Sequence, residues 1–194
     1  MSKYKDDGTG WEVCTNQLID RAKPEGYIDY MKEVLKVDYI LNTVKSTDKK
    51  DIKILDCGCN FGYINLCFPE QDYTGIDGNA YAISKAKENF SNRKFENLYI
   101  QDMIFKEEFD LVLCMSVMQH VYYEDKLIII QKIKEALKPQ GCFLLMDTIM
   151  DRETATQLTK MKWVLLLEKN GFEYIDSWFK NDRNLDDINF FRRL

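Results

Sequence analysis

The chain has 194 residues, which fills one compact domain and leaves too little for two full ones. Apolar residues make up 45% and aromatics 13%, so a sizeable core can be buried and a disordered chain is excluded. The formal charge is −5, and the densest lysine cluster (Lys45, Lys49, Lys50, Lys53) is interrupted by Asp48 and Asp51, which disfavours a nucleic-acid partner.

In chain order, residues 1–26 hold no clear period and carry Gly8, Gly10, Pro24 and Gly26, so they are expected as an irregular arm with one short helix. Ile28, Met31, Leu35 and Tyr39 then recur at helical spacing and predict a helix over residues 27–45. A polar stretch leads to the apolar run 52–55, a strand that ends at Asp56 and meets glycines at once. Residues 62–69 are short for the helix that would follow such a strand. The next strand is 73–76, ending at Asp77, followed by a helix over 80–90 and a strand over 95–100 that runs into Asp102.

Residues 109–115 are continuously apolar, as in a strand buried on both faces. Leu127, Ile130, Ile133 and Leu137 mark a helix that stops at Pro139 and Gly141, before a strand over 142–146. Leu158, Met161 and Leu165 belong to a helix capped by Gly171, and residues 172–178 and 188–192 alternate as an antiparallel hairpin. This alternation predicts a three-layer α/β/α sandwich around a seven-stranded, mostly parallel sheet with an antiparallel C-terminal hairpin strand. Residues 46–194 form that domain, and residues 1–45 are an arm and helix that serve as a lid.

Ligands of such sheets bind outside the carboxyl ends of the strands, and three consecutive strands here end at or beside an aspartate. After the first, Asp56-Cys57-Gly58-Cys59-Asn60-Phe61-Gly62 gives a tight turn that a ligand can approach closely. Asn60 tolerates left-handed backbone better than most residues. Asp77, followed by Gly78, lies 21 residues after Asp56, the place of an acid that grips ribose hydroxyls. Asp102 offers an acceptor for an adenine amine, and Met103 a backbone N–H and an apolar wall.

These residues and the element order resemble the class I, Rossmann-like S-adenosylmethionine-dependent methyltransferases of small-molecule type, over residues 51 to 194. The first loop of that family reads D-x-G-x-G-x-G, and Asn60 stands where the middle glycine belongs. Leu137-Lys138-Pro139-Gln140-Gly141 looks like the turn before its fifth strand. The resemblance implies a bound S-adenosylmethionine, left as S-adenosylhomocysteine, with Asp56, Gly58, Cys59, Asn60 and Gly62 around the methionine part. It implies Asp77 and Gly78 at the ribose, Asp102 and Met103 at the adenine, and Met115 at the end of the fourth strand. A nicotinamide site would want G-x-G-x-x-G, whose second and third glycines are replaced by Asn60 and Tyr63, and no phosphate-binding G-x-x-x-x-G-K-[ST] occurs.

Ser116-Val117-Met118-Gln119-His120-Val121 looks like the stretch that small-molecule enzymes carry after the fourth strand, where DNA amino-methylating enzymes place an Asn-Pro-Pro-Tyr-like motif. His120, the only histidine, reads either as a general base or as a packing residue. Tyr4, Trp11, Tyr27, Tyr122 and Tyr123 are expected to line the acceptor, a small molecule methylated on nitrogen or oxygen. The alternatives are a protein or RNA acceptor, or a non-catalytic partner subunit that keeps the fold. No metal is expected, because the six cysteines form no C-x-x-C pair and one histidine completes no zinc site at a usual spacing. Reduced thiols, the lack of a signal-like apolar start and the absence of a long apolar run predict a cytoplasmic protein without a membrane partner.

Overall fold

The computed structural model describes residues 26–148, 157–179 and 186–194. The calls on Tyr4 and Trp11, and on the arm as a lid, lie largely outside them. Seven strands are present: β1 (Lys53–Cys57), β2 (Asp72–Asp77), β3 (Lys94–Asn97), β4 (Phe109–Met115), β5 (Leu137–Thr148), β6 (Phe172–Phe179) and β7 (Asp186–Arg193). They make one sheet in the order β3-β2-β1-β4-β5-β7-β6. The first five pair in parallel, and β7 runs antiparallel between β5 and β6. The α/β/α sandwich with its C-terminal hairpin is therefore as the alternating pattern requires.

Each face of the sheet is covered. Helices α1 (Tyr27–Leu35), α2 (Val37–Thr43) and α3 (Ala80–Asn89) close one side, where Met31, Ile40 and Ile83 join Ile54, Leu111 and Leu144. Helices α4 (Tyr123–Ala136) and α5 (Lys160–Lys169) close the other, where Ile130, Ile133 and Trp163 meet Leu55, Val112 and Phe143. Strands β1 and β4 are buried along almost their whole length, which explains their continuous apolar runs. Among the described residues, no helix is long and apolar enough to cross a membrane.

Four local differences from the sequence pattern have physical causes. The helix predicted over residues 27–45 is two helices, broken at Lys36, whose left-handed backbone (φ 51°) lets its N–H cap Glu33 and Lys32. Leu35 and Val37 would point to opposite sides of one straight helix, yet both are buried, so the axis must turn between them. Helix α1 is also fixed to the sheet, since Trp178 Nε1 donates to Val34 O at 2.7 Å. The strand expected over 95–100 stops at Asn97, where the Leu98 N–H and Asn97 Nδ2 both donate to Asp77 O. Helix α4 starts at Tyr123, a turn earlier than its apolar stripe. The turn expected at residues 138–141 is a bulge inside a longer β5, with Gln140 at φ 66° and a register shift against β4 between Phe109 and Leu111. Only a five-residue 3₁₀ turn, Tyr63–Cys67, follows the first loop, and α1 packs over it in place of the missing helix.

Candidate functional site

Chain order reverses between β1 and its neighbour β4, so the strand ends there open a crevice of the kind that binds ligands in doubly wound sheets. One side of it is the loop after β1. The Gly58 and Cys59 N–H groups both donate to Ile76 O, at 2.8 and 3.0 Å, and the Asn60 N–H donates to Asp77 Oδ2 at 2.9 Å. The loop is thus stitched to the end of β2. Gly58, Asn60 and Gly62 all have left-handed backbone, with φ of 80°, 51° and 74°. A Cβ on Gly58 would lie 2.2 Å from Val117 Cγ2, and one on Gly62 2.5 Å from the Phe95 ring. A Cβ on Gly78 would lie 2.3 Å from the Tyr99 ring.

The two acids are differently placed. Asp56 is wholly buried and accepts a hydrogen bond from the Tyr73 hydroxyl. Burial raises its pKa to about 7; the Tyr73 bond opposes that rise and the field of Asp77 adds to it. Asp77 accepts from the Asn60 N–H on one oxygen and from the Asn79 N–H (2.8 Å) on the other. Burial pushes its carboxyl up, while those two N–H groups hold it down. Asn60 Oδ1 is buried and has no hydrogen-bond partner, an acceptor without a donor in the middle of the cradle.

Asp102 is exposed beside the crevice, at the end of a 3₁₀ turn, Ile100–Asp102. Met103 turns inward: its side chain is buried under α4, its N–H donates to Ile100 O at 3.3 Å and its carbonyl accepts from Lys132 Nζ at 2.9 Å. Its N–H is therefore engaged within the turn. Met115 is half-buried at the end of β4.

The other side of the crevice is the loop after β4. Ser116 has left-handed backbone (φ 57°) and donates its N–H to Met146 O at 2.7 Å. His120 is exposed, with Gln119 Nε2 3.1 Å from its Nε2. Partial burial, and then the nearby Lys126 charge, hold the imidazole pKa below 6.5, so the ring is neutral at pH 7. With the amide donating, Nε2 is the accepting nitrogen. Tyr122 and Tyr123 are exposed at the start of α4, while Tyr27 is half-buried against the opposite face of the sheet. The sequence brings Asp56, the glycine loop and Asp77 together; Tyr27 stands apart from Tyr122 and Tyr123. Tyr73, Tyr99, Val117, Lys126 and Asp147 escaped the sequence reading, because their positions near the loops come from strand pairing and leave no local spacing. Among the described residues, no group of His, Cys, Asp and Glu could hold a metal ion.

Residues 48–181 match a family model described as a methyltransferase domain. An uncharacterised protein of Methanocaldococcus jannaschii is 33% identical over 131 residues, covering 63% of this chain and 55% of that protein. A ubiquinone biosynthesis O-methyltransferase of Rickettsia bellii is 26% identical over 152 residues, covering 74% of this chain and 58% of that enzyme. The chain thus spans just over half the length of these curated relatives. The crystal structure of an S-adenosylmethionine-dependent methyltransferase of Methanosarcina mazei superposes with a TM-score of 0.69 at 19% identity, over 80% of this chain and 97% of that one.

Proposed function

The chain belongs to the class I, Rossmann-like S-adenosylmethionine-dependent methyltransferase family, and from that membership we propose that it methylates nitrogen or oxygen of a small-molecule acceptor. The observation that carries this reading is the junction of the glycine loop with Asp77, which leaves the buried Asn60 Oδ1 facing no donor. S-adenosylmethionine fits such a cradle: it brings an ammonium and two ribose hydroxyls, all donors, to a site whose free groups are acceptors. Gly58, Gly62 and Gly78 let Val117, Phe95 and Tyr99 pack directly on the backbone of the cradle, where a Cβ would clash. Asp77, after accepting from Asn60 and Asn79, keeps lone pairs for the ribose hydroxyls. Asp102 takes the adenine amine, and Met115 supplies an apolar wall. Asp56, closed off by Tyr73, orders the loop from below, and Cys59 fills the space over Gly75.

When bound, the donor supplies a methyl group on a sulfonium. It would allow an in-line displacement in which the acceptor's lone pair takes the methyl carbon and the electron pair of the broken carbon–sulfur bond stays on sulfur. His120, neutral and with its Nε2 lone pair held by the Gln119 amide, takes the proton that the acceptor loses once that amide gives way to the acceptor. Alignment of the partners supplies about 7–11 kcal/mol and is the larger share. Tyr122 and Tyr123, exposed at the start of α4, flank the acceptor.

The small-molecule assignment is supported by the acidic net charge and by the Rickettsia bellii relative, whose name places it in ubiquinone biosynthesis. A cytoplasmic setting accords with the buried thiols of Cys57, Cys59, Cys114 and Cys142. The test is formation of S-adenosylhomocysteine when the protein and donor meet either the small solutes or the macromolecules of a cell extract. Turnover with the small solutes is expected. Turnover confined to the macromolecules would reassign the acceptor to protein or RNA.

A further inference from the structure

We propose that Lys126 and Asp147 form a buried clamp that fixes the loop after β4, and with it His120, over the donor cradle. The loop lies between the end of β4 and the start of α4, and among the described residues three hydrogen bonds tie it to β5 and α4. The Ser116 N–H reaches Met146 O. The Gln119 N–H donates to Asp147 Oδ1 at 2.9 Å. Lys126 Nζ donates to Met118 O. Two of the three therefore come from one acid at the end of β5 and one base in the first turn of α4.

Both members are almost fully buried, Lys126 at 0% and Asp147 at 1% exposure. A lysine there is unfavourable twice over. Burial penalises its charge, and the first turn of a helix repels a cation. A methionine would fill similar volume with neither penalty, and replacing buried ion pairs by apolar residues is often neutral or stabilising. Packing alone therefore does not account for an ammonium at this place. Its position 5.1 Å over the Trp163 ring and the field of Asp147 offset part of the penalty. What the charge gains is a bond to a loop carbonyl that no apolar residue can hold.

The loop has reason to need holding. Ser116 keeps a left-handed backbone without being glycine, and such strain persists only where the surroundings enforce it. Val117 lies directly over Gly58, so a shift of this loop would disturb the donor cradle as well as His120. Lys126 and Asp147 act through the loop and are positioning residues. That the loop is the acceptor side rests on the function proposed above.

His120 is the only histidine, so its imidazole gives one unambiguous NMR titration. The titratable groups that act on Lys126 are Asp147 and the Cys114 thiol, which burial keeps protonated, and Lys126 itself opposes protonation of His120. In Lys126→Met the His120 pKa is expected to rise and the His120 amide to exchange about tenfold faster, the loss of about one hydrogen bond. Lys126→Arg should restore the wild-type titration. Asp147→Leu, which removes the other tether by itself, should speed exchange of the Gln119 amide by a similar factor. In both apolar variants the affinity for S-adenosylhomocysteine should fall severalfold, because Val117 of the released loop rests on Gly58 of the donor cradle. An unmoved His120 titration in Lys126→Met, or wild-type exchange of the Gln119 amide in Asp147→Leu, would overturn the clamp. Failure of the folded wild type to bind S-adenosylhomocysteine would instead overturn the proposed function and leave the clamp standing.

Discussion

Asp56 and Asp77 stand at the ends of adjacent strands, and what surrounds each sets its task. The folded chain holds the Asp56 proton more tightly than the unfolded one, because burial lifts its pKa from 3.8 to about 7. This group's contribution is therefore most favourable below the unfolded value and is lost as pH rises through that interval. Asp56→Asn, which keeps an acceptor for the Tyr73 hydroxyl, should raise stability above pH 7 and flatten its pH dependence. Urea unfolding on either side of the interval checks this; an unchanged slope with pH would contradict it. Asn60 already has the backbone that a glycine would take, so Asn60→Gly should change stability by less than about 1 kcal/mol. It removes the buried Oδ1, however, and should weaken donor binding severalfold in a titration with S-adenosylhomocysteine. The loop motif and Asp77 were legible because chemistry at strand ends uses short, fixed spacings. The inward turn of Met103 was not, because it depends on a 3₁₀ turn that one residue's identity does not announce.

Helix α3 ties the donor side to its own first turn. Asn79 Oδ1 accepts from the Tyr81 and Ala82 N–H groups at 3.0 and 3.1 Å, and the Asn79 N–H holds Asp77. Asn79→Ala should cost about 1 kcal/mol of stability, the worth of a helix cap, and loosen the ordering of Asp77. Chemical denaturation measures the first effect, and an unchanged midpoint would show the cap to be idle. The strands were the most readable elements, since β1 and β4 are buried along almost their whole length; in α5 the residues read as its apolar stripe, Met161 and Leu165, face outward, and Trp163 and Leu167 are the ones buried. The break at Lys36 was hidden: helical spacing runs straight through it, and only the shape of the sheet beneath demands that Leu35 and Val37 both turn inward. The bulge at Gln140 was hidden for a related reason, because Pro139 and Gly141 signal a turn whether or not the chain continues as a strand.

At the scale of the molecule, the sheet order places the loops after β1, β2 and β4 around one crevice, and the hairpin β6–β7 closes the far edge. In the function proposed, donor and acceptor meet on opposite sides of the reversal between β1 and β4, where Val117 packs on Gly58. A ligand that binds only the folded chain stabilises it. S-adenosylhomocysteine at about a hundredfold excess over its dissociation constant should therefore raise the unfolding free energy by about 2.7 kcal/mol, read as a shift in the melting transition. The most direct measurement is calorimetric titration of S-adenosylhomocysteine into the wild type and Asp77→Ala, both shown to be folded. Binding of one molecule per chain is predicted, weakened at least about tenfold when the carboxylate is gone, the equivalent of about 1.4 kcal/mol. Equal affinity in the two proteins, or no binding by the folded wild type, would contradict the placement of the donor on these strand ends.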